Sequence, residues 1–441
     1  MAIKVAFHNL GCKVNSYETE AMLAGLKKRG FIEVPFEEGA DVYVINTCTV
    51  TNIADRKSRQ MLHRAKAMDT DAAVVAVGCY AQAAGESLLA DEAVDIVVGN
   101  DRKHELPDLI EAWFESHEKQ SALDDIGKSR RFEEMPAECS EHTRAFLKIE
   151  DGCNQFCSYC LIPYVRGRVR SRDPEDVLEE ARRLAEKGWS EIVLTGIHIS
   201  SYGLDFEGDA GMRAAGYGAP LIALLRRLDE IPGIRRIRLG SLEPRLITPE
   251  NAAALASLRT LCPHFHLSLQ SGCDETLRRM NRKYTAAEFA EKVRLLREAF
   301  DRPALTTDVI VGFPGETEEE FAATVAFLKE IRFAQTHVFR YSRRKGTVAD
   351  RMPDQIPEPV KAERSAVLLD LNRKNRLAYA KQFIGEPREV LLETAEDGKV
   401  GPVWTGYTPE YLRLRVTASD GMPGQYVSVT VKEENLLLTE E

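Results

Sequence analysis

The sequence predicts an α/β protein in three parts: an N-terminal parallel α/β sheet domain, a central incomplete (β/α)6 barrel and a small C-terminal antiparallel β barrel. Three observations lead there. At 441 residues the chain is too long for one ordinary core, and about three domains are expected. Short apolar runs alternate with helix-like stretches over most of its length, the pattern of parallel sheets. Beyond Gly385 the runs shorten and turn residues divide them, which suggests a small antiparallel barrel.

The first domain, residues 1–120, draws its strands from Val5-Ala-Phe, Val42-Tyr-Val-Ile, Val74-Val-Ala-Val and Val94-Asp-Ile-Val-Val. Residues 121–142, with Asp124-Asp125, Gly127, Glu133-Glu134, Pro136 and Glu138, have no sustained period and read as a linker or a single crossing strand. The central domain, 143–375, offers strands at Ala145 to Ile149, Ile192 to Thr195, Arg236 to Leu239, His264 to Leu269, Leu305 to Val311 and His337 to Tyr341. Six such units make an incomplete barrel, whose chemistry belongs at the strand C-termini. A helical stretch from about Pro359 to Phe383 leads into the tail, 376–441, with runs at Glu389 to Leu392, Tyr411 to Val416 and Tyr426 to Val431.

Composition narrows the function. A net charge of -10 argues against a generic nucleic-acid coat, since bulk phosphate affinity comes from Lys and Arg. There is no apolar run of membrane-spanning length, and Met1-Ala-Ile-Lys-Val-Ala-Phe-His reads as the start of a strand, so a soluble cytoplasmic protein without a membrane partner is expected. Nine cysteines, an odd and clustered set, point to reduced thiols and metal rather than a disulfide frame.

The most telling segment directly follows the first barrel strand. Cys153-Asn-Gln-Phe-Cys157-Ser-Tyr-Cys160 places three thiolates where they can hold three irons of a 4Fe-4S cluster and leave the fourth bare. A zinc knuckle is the alternative, but zinc normally pairs C-x2-C with a second distant pair and fills all four positions. A second set, Cys12, Cys48 and Cys79, is scattered in sequence, yet each residue ends a strand candidate, and in a parallel sheet those ends share one edge. Asn15 with Glu18, and Asn52 with Asp55, are spaced like capping boxes, so helix N-termini are expected to face the sulfurs and lower their pKa. Three buried small hydrophobes are the other reading.

Arg166, Arg168, Arg170 and Arg172 alternate along an extended segment, and Arg343-Arg344-Lys345 forms a second basic group; phosphate contact and a solvated charged face are both open. Cys139, Cys262 and Cys273 have no motif partners and read as ordinary thiols.

The cysteine loop resembles the signature of the radical S-adenosylmethionine (SAM) superfamily. Its setting, Asp151-Gly-Cys-Asn-Gln-Phe-Cys-Ser-Tyr-Cys-Leu-Ile-Pro-Tyr-Val-Arg-Gly-Arg-Val-Arg-Ser-Arg172, is similar to the methylthiotransferase family within it. So are Asn9-Leu-Gly-Cys12-Lys-Val-Asn-Ser-Tyr-Glu-Thr-Glu20, Val44-Ile-Asn-Thr-Cys48-Thr-Val-Thr-Asn-Ile-Ala-Asp-Arg-Lys-Ser58, Gly78-Cys79-Tyr-Ala-Gln82, Leu267-Ser-Leu-Gln-Ser-Gly272 and Thr307-Asp-Val-Ile-Val-Gly-Phe-Pro-Gly-Glu-Thr317. The tail resembles a TRAM domain. The wording around Cys12 and Cys48 looks most like the branch that modifies N6-threonylcarbamoyladenosine beside the tRNA anticodon.

The resemblance implies two 4Fe-4S clusters, one on Cys153, Cys157 and Cys160 that cleaves SAM, and one on Cys12, Cys48 and Cys79 that holds the sulfur to be inserted at C2 of the adenine. It also implies a tRNA partner, a sulfur donor and an electron donor such as flavodoxin or ferredoxin. For SAM it points to Tyr159, Gly196, Glu243, Gln270 and Asp308 at the barrel strand ends. No catalytic side chain beyond the cluster ligands stands out. Branches acting on isopentenyladenosine or a ribosomal-protein aspartate are the nearest alternatives, and a two-cluster electron carrier is the alternative outside enzymes.

Overall fold

The structure, a computed structural model, describes residues 2–135, 143–206, 216–398 and 401–438. In the first domain, strands β1 (Lys4–Asn9), β2 (Ile32–Glu33), β3 (Val42–Thr47), β4 (Ala73–Gly78), β5 (Ile96–Val98) and β6 (Gln120–Ala122) form one sheet in the order β2-β1-β3-β4-β5-β6. Every pairing in it is parallel. The residues of β3 and β4 are all buried because helices cover both faces. Val42 and Val44 pack with Tyr17 and Leu26 of helix Lys13–Lys28, whereas Tyr43 and Ile45 pack with Leu62 and Ala65 of helix Asn52–Met68.

The four expected strands are present, and β2 and β6 are additions. Residues 121 and 122, read as the start of a linker, belong to β6, which pairs with β5 at the sheet edge. The segment 136–142, including Cys139, lies outside the described residues.

The barrel begins with β7 (Ala145–Lys148), followed by a short antiparallel pair, β8 (Glu150–Asp151) and β9 (Arg170–Ser171). Strands β10 (Glu191–Thr195), β11 (Arg236–Leu239), β12 (His264–His266), β13 (Ala304–Val311) and β14 (Gln335–Arg340) complete it. Pairings β7-β10-β11 and β12-β13-β14 are parallel, and the parallel bridges Ile237↔Leu261 and Leu242↔Leu267 join the two halves into six strands in chain order. Along each strand one set of side chains, such as Leu147, Leu194, Leu239, Phe265 and Val309, meets the outer helices in one core. The alternate set, including His264, His266, Thr306, Asp308 and His337, lines the lumen.

The tail is a four-stranded antiparallel sheet, half of a barrel, built from β15 (Pro387–Gly398), β16 (Gly401–Tyr407), β17 (Arg413–Thr417) and β18 (Tyr426–Thr430) in the order β17-β16-β15-β18. Strand β16 is the one the sequence hides: Gly401, Pro402 and Gly406 read as turn residues. Helix Glu358–Lys381 crosses the boundary drawn at residue 376. Its Asn372 accepts a hydrogen bond from the Thr336 amide at 2.7 Å, while Ala380 packs in the tail core with Phe383, Val390 and Leu414.

The acidity of the tail has a structural use. Glu389 pairs with Arg235 and Arg236, Glu393 with Arg144, and Glu386 with Arg302, all arginines of the barrel domain. Arg238 adds hydrogen bonds to the carbonyls of Thr408 (2.7 Å) and Pro409 (2.9 Å).

Candidate active site

The barrel loop is shaped by close backbone approaches. Gly152 has φ +83°, and a Cβ there would lie 2.0 Å from the Arg168 carbonyl, so only glycine lets the chain turn between β8 and Cys153. The Cys153 amide then donates to the Gly167 carbonyl at 3.0 Å, and Ser158 is fixed by its amide and hydroxyl to the carbonyls of Met280 and Arg279. Each sulfur meets an N–H donor. The Gln155 amide donates to Cys153 Sγ at 3.5 Å, Arg282 Nη1 to Cys157 Sγ at 3.2 Å and the Ile162 amide to Cys160 Sγ at 3.4 Å.

The second set is assembled by topology. Strands β1, β3 and β4 are adjacent, and Cys12, Cys48 and Cys79 follow their C-terminal ends on one edge. Asn15 and Asn46 tie the edge together: Asn15 Nδ2 donates to Asn46 Oδ1 (3.0 Å) and the Thr47 carbonyl (3.1 Å), and Asn46 Nδ2 returns a bond to the Asn15 carbonyl (3.0 Å). Cys79 lies near enough to Cys12 and Cys48 to raise their pKa, and it acts on Cys160 of the other set as well. The two sets therefore face each other across the domain interface, where Asn100 Nδ2 bonds the Val165 carbonyl at 2.7 Å and approaches Cys79 Sγ at 3.8 Å.

Arg166 joins the two halves. Its Nε donates to Cys79 Sγ at 3.1 Å, and its other nitrogens reach Glu18 (2.8 and 3.0 Å), Asp151 (3.1 Å) and Asn15 (2.9 Å). Lys148 bonds the same two carboxylates at 2.7 and 2.6 Å. All of these side chains except Cys79 are polar, and all are buried, so each charge needs the others. Burial alone would raise the carboxyl pKa values of Glu18 and Asp151, but the surrounding cations outweigh it and hold both below the usual range.

Several sequence expectations change here. Arg166, Arg170 and Arg172 are buried and paired internally, Arg172 with Glu180 and Glu134, so they form no phosphate-binding stripe; only Arg168 is exposed, its guanidinium 4.3 Å from the centre of the Phe156 ring. Arg344 likewise is buried against Asp55 and Thr49, and Arg343 pairs with Asp350. No capping box forms after Cys12 or Cys48. Asn15 and Glu18 are drawn into the buried network, and the cap of helix Asn52–Met68 is Thr51, which accepts from the Ala54 amide. Cys12 and Cys48 are not acidified by helix ends, because burial moves Cys12 upward and pushes Cys48 up to about 11; in the barrel loop it likewise raises Cys153 and pushes Cys160 up to about 12.

Of the residues expected around SAM, Tyr159, Gly196, Glu243 and Gln270 occupy the barrel mouth, and Asp308 does not. A Cβ on Gly196 would lie 2.8 Å from Glu150 Oε2, which accepts from the His198 amide at 2.6 Å. Glu150 Oε1 is buried without a hydrogen-bond partner among the described residues, and burial raises this carboxyl well above its usual range. Glu243 accepts from Arg245 at 2.8 Å, and Arg245 reaches Gln155 of the cysteine loop at 3.3 Å. Gln270 is left-handed (φ 72°), its amide bonded to the Asp308 carbonyl at 2.9 Å. Tyr159 packs edge-on against Phe313 and anchors the loop. Asp308 faces deeper into the lumen, 3.2 Å from His266 Nε2. Sequence reasoning missed Glu150, Arg282, His198 and Asn100. Of these only Glu150 carried a signal, lying next to Asp151 at the strand end before the cysteine loop.

The class that this barrel and loop define is the Radical SAM superfamily, whose pattern matches residues 147–328, while the uncharacterized protein family UPF0004 matches residues 4–99. The threonylcarbamoyladenosine tRNA methylthiotransferase MtaB of Bacillus subtilis (strain 168) is 43% identical over 434 residues, covering 97% of this chain and 93% of its own. The tRNA-2-methylthio-N(6)-dimethylallyladenosine synthase of Pelotomaculum thermopropionicum is 35% identical, covering 96% and 93%. The solved radical S-adenosylmethionine methyltransferase TsrM from Kitasatospora setae shares the fold at 17% identity, with a TM-score of 0.58 over 79% of this chain and 74% of its own. The chain belongs to the radical SAM methylthiotransferase family and is an enzyme. That membership implies a 4Fe-4S cluster and SAM.

Proposed function

We propose that this enzyme installs a methylthio group at C2 of N6-threonylcarbamoyladenosine at position 37 of tRNA, beside the anticodon, using two 4Fe-4S clusters and SAM. The observation that carries the reading is the juxtaposition of two three-cysteine sets across one interface. The donor sets suit such clusters: each has three sulfurs and no fourth protein ligand is needed where a substrate or sulfur atom completes the site. Bound there, the clusters and SAM supply the electron, the hydrogen-abstracting group and the sulfur.

The protein's own part is placement. N–H donors from Gln155, Ile162 and Arg282 stabilise the Cys153, Cys157 and Cys160 thiolates, and Arg166 does so for Cys79. Ligation takes thiolates, so loading either set releases protons. The unpartnered Glu150 Oε1 beside Gly196 suits the ammonium of SAM, with Tyr159, Glu243 and Gln270 framing the same mouth. The tail, locked to the barrel through Arg236 and Arg238, contributes to tRNA capture. A sulfur donor and a flavodoxin- or ferredoxin-type electron donor complete the partner set.

The substrate follows the Bacillus relative, whose identity exceeds that of the dimethylallyl-type relatives. Anaerobic reconstitution with SAM and tRNAs bearing either modification tests it, read by nucleoside mass spectrometry. Methylthiolation of the threonylcarbamoyl tRNA alone is expected, and equal turnover of both would overturn the substrate assignment.

A further inference from the structure

A cavity of about 610 Å³ occupies the barrel lumen, a size suited to a modified nucleoside. All three domains wall it: Lys13 from the first, His266, Asp308 and His337 from the barrel, Tyr411 and Arg413 from the tail. Two of its lining residues link it to the sites described above: Lys13 directly follows Cys12 in sequence, and the Asp308 carbonyl accepts from the Gln270 amide. Ala304, Gln335 and the tail residues form its wall at the strand starts.

Its chemistry is equally specific. His266 is fixed at both ring nitrogens, by Thr306 Oγ1 at 3.0 Å and Asp308 Oδ2 at 3.2 Å, and the ligating atoms of His266, Asp308 and His337 lie within 4.8 Å of one another. Among the described residues no carboxylate lies within ion-pair distance of Lys13, although its side chain opens onto the cavity. Tyr411 closes the wall, stacked on His264 at 4.2 Å and 5° and held in a left-handed conformation (φ 64°) by the docked tail turn. An apolar N6 substituent placed here would leave an ammonium and a carboxylate desolvated against methyl groups, a costly arrangement. A substituent carrying a carboxylate, a hydroxyl and a ureido group would satisfy them.

We propose that this lumen reads the N6 substituent: Lys13 pairs with the threonyl carboxylate, and the His266–Asp308–His337 set bonds its hydroxyl and ureido groups. The assignment rests on the substrate reading above and adds the residues that enforce it. It also gives the tail a second role, as a wall of the substrate cavity.

The test uses the anaerobically reconstituted holoenzyme and fluorescence anisotropy with anticodon stem-loops. These carry N6-threonylcarbamoyladenosine, its threonine carboxamide, its glycyl counterpart lacking the hydroxyl-bearing side chain, or dimethylallyladenosine. The unaltered enzyme should bind the acid about 10- to 100-fold more tightly than the carboxamide, the range for one buried charged hydrogen bond. Lys13→Met should lose that preference while binding the carboxamide as before. His337→Phe should lose the preference for the threonyl over the glycyl form. Equal affinity of the unaltered enzyme for acid and carboxamide would overturn the inference even if dimethylallyladenosine is still rejected. Equal affinity for threonylcarbamoyl and dimethylallyl stem-loops would instead overturn the substrate reading itself. A divalent metal retained by the unaltered protein beyond its clusters and lost in His337→Phe would reassign the trio to metal binding.

Discussion

The two cysteine sets are built in opposite ways. Cys153, Cys157 and Cys160 share one loop, shaped by Gly152 and pinned by Ser158 to the Arg279–Met280 backbone of its own domain. Cys12, Cys48 and Cys79 come from three strand ends, and their most intimate polar neighbour, Arg166, belongs to the barrel domain. A local loop can form its site wherever its domain folds. A site assembled from three strand ends and completed by a neighbouring domain depends on the interface, so its loss should follow interface damage that leaves the loop intact.

The largest effect separating them is catalytic. Replacing Cys153, Cys157 and Cys160 by alanine should abolish 5′-deoxyadenosine formation from SAM under reducing conditions. Replacing Cys12, Cys48 and Cys79 should preserve that reaction and abolish methylthiolation. Product chromatography reads both, and parallel loss of SAM cleavage would erase the division.

Next comes the interface. Arg166→Ala would strand Glu18 and Asp151 with fewer cations, and a loss of about 3–5 kcal/mol is expected for one broken buried pair. Denaturant unfolding of the anaerobic protein measures it, and the second site should lose iron before the first. The exposed Arg168 is the control within the same alternating segment: Arg168→Ala forfeits a cation–π contact worth about 0.5–1 kcal/mol and should leave both sites loaded.

A smaller effect is visible in pH. Burial lowers the His198 pKa from the ordinary 6.5 to about 4, so the folded barrel mouth holds a neutral imidazole. Its contribution to stability is full above pH 6.5 and falls away as the pH drops toward about 4, because the unfolded chain takes up a proton that the folded one refuses. Histidine NMR of the anaerobic protein should place the midpoint near 4. A midpoint near 6.5 would mean that the mouth is more open than the structure has it.

The same contrast governs what the sequence reveals. The Cys153 loop was legible because its spacing is contiguous, and the six barrel strands because each carries an apolar run. The second set was legible as positions at strand ends, but not in its chemistry. Asn15 and Glu18 fit a capping box by spacing, yet their partners Asn46, Lys148 and Arg166 lie 31 to 151 residues away. The alternating arginines show the same limit, since alternation marks a face but not whether another domain covers it. Helix ends at Cys12 and Cys48 suggested acidic thiols, and burial, which only the packed structure reveals, reverses the sign.

The central claim is that one chain carries two independent cluster sites that meet across an interface. Iron and sulfide analysis of the anaerobically reconstituted protein and of the two triple-alanine variants tests it most directly. The account predicts about eight irons per chain for the unaltered protein and about half in each variant, matching a pair of 4Fe-4S clusters. A single variant that removes all the iron, or one that removes none, would contradict two independent sites.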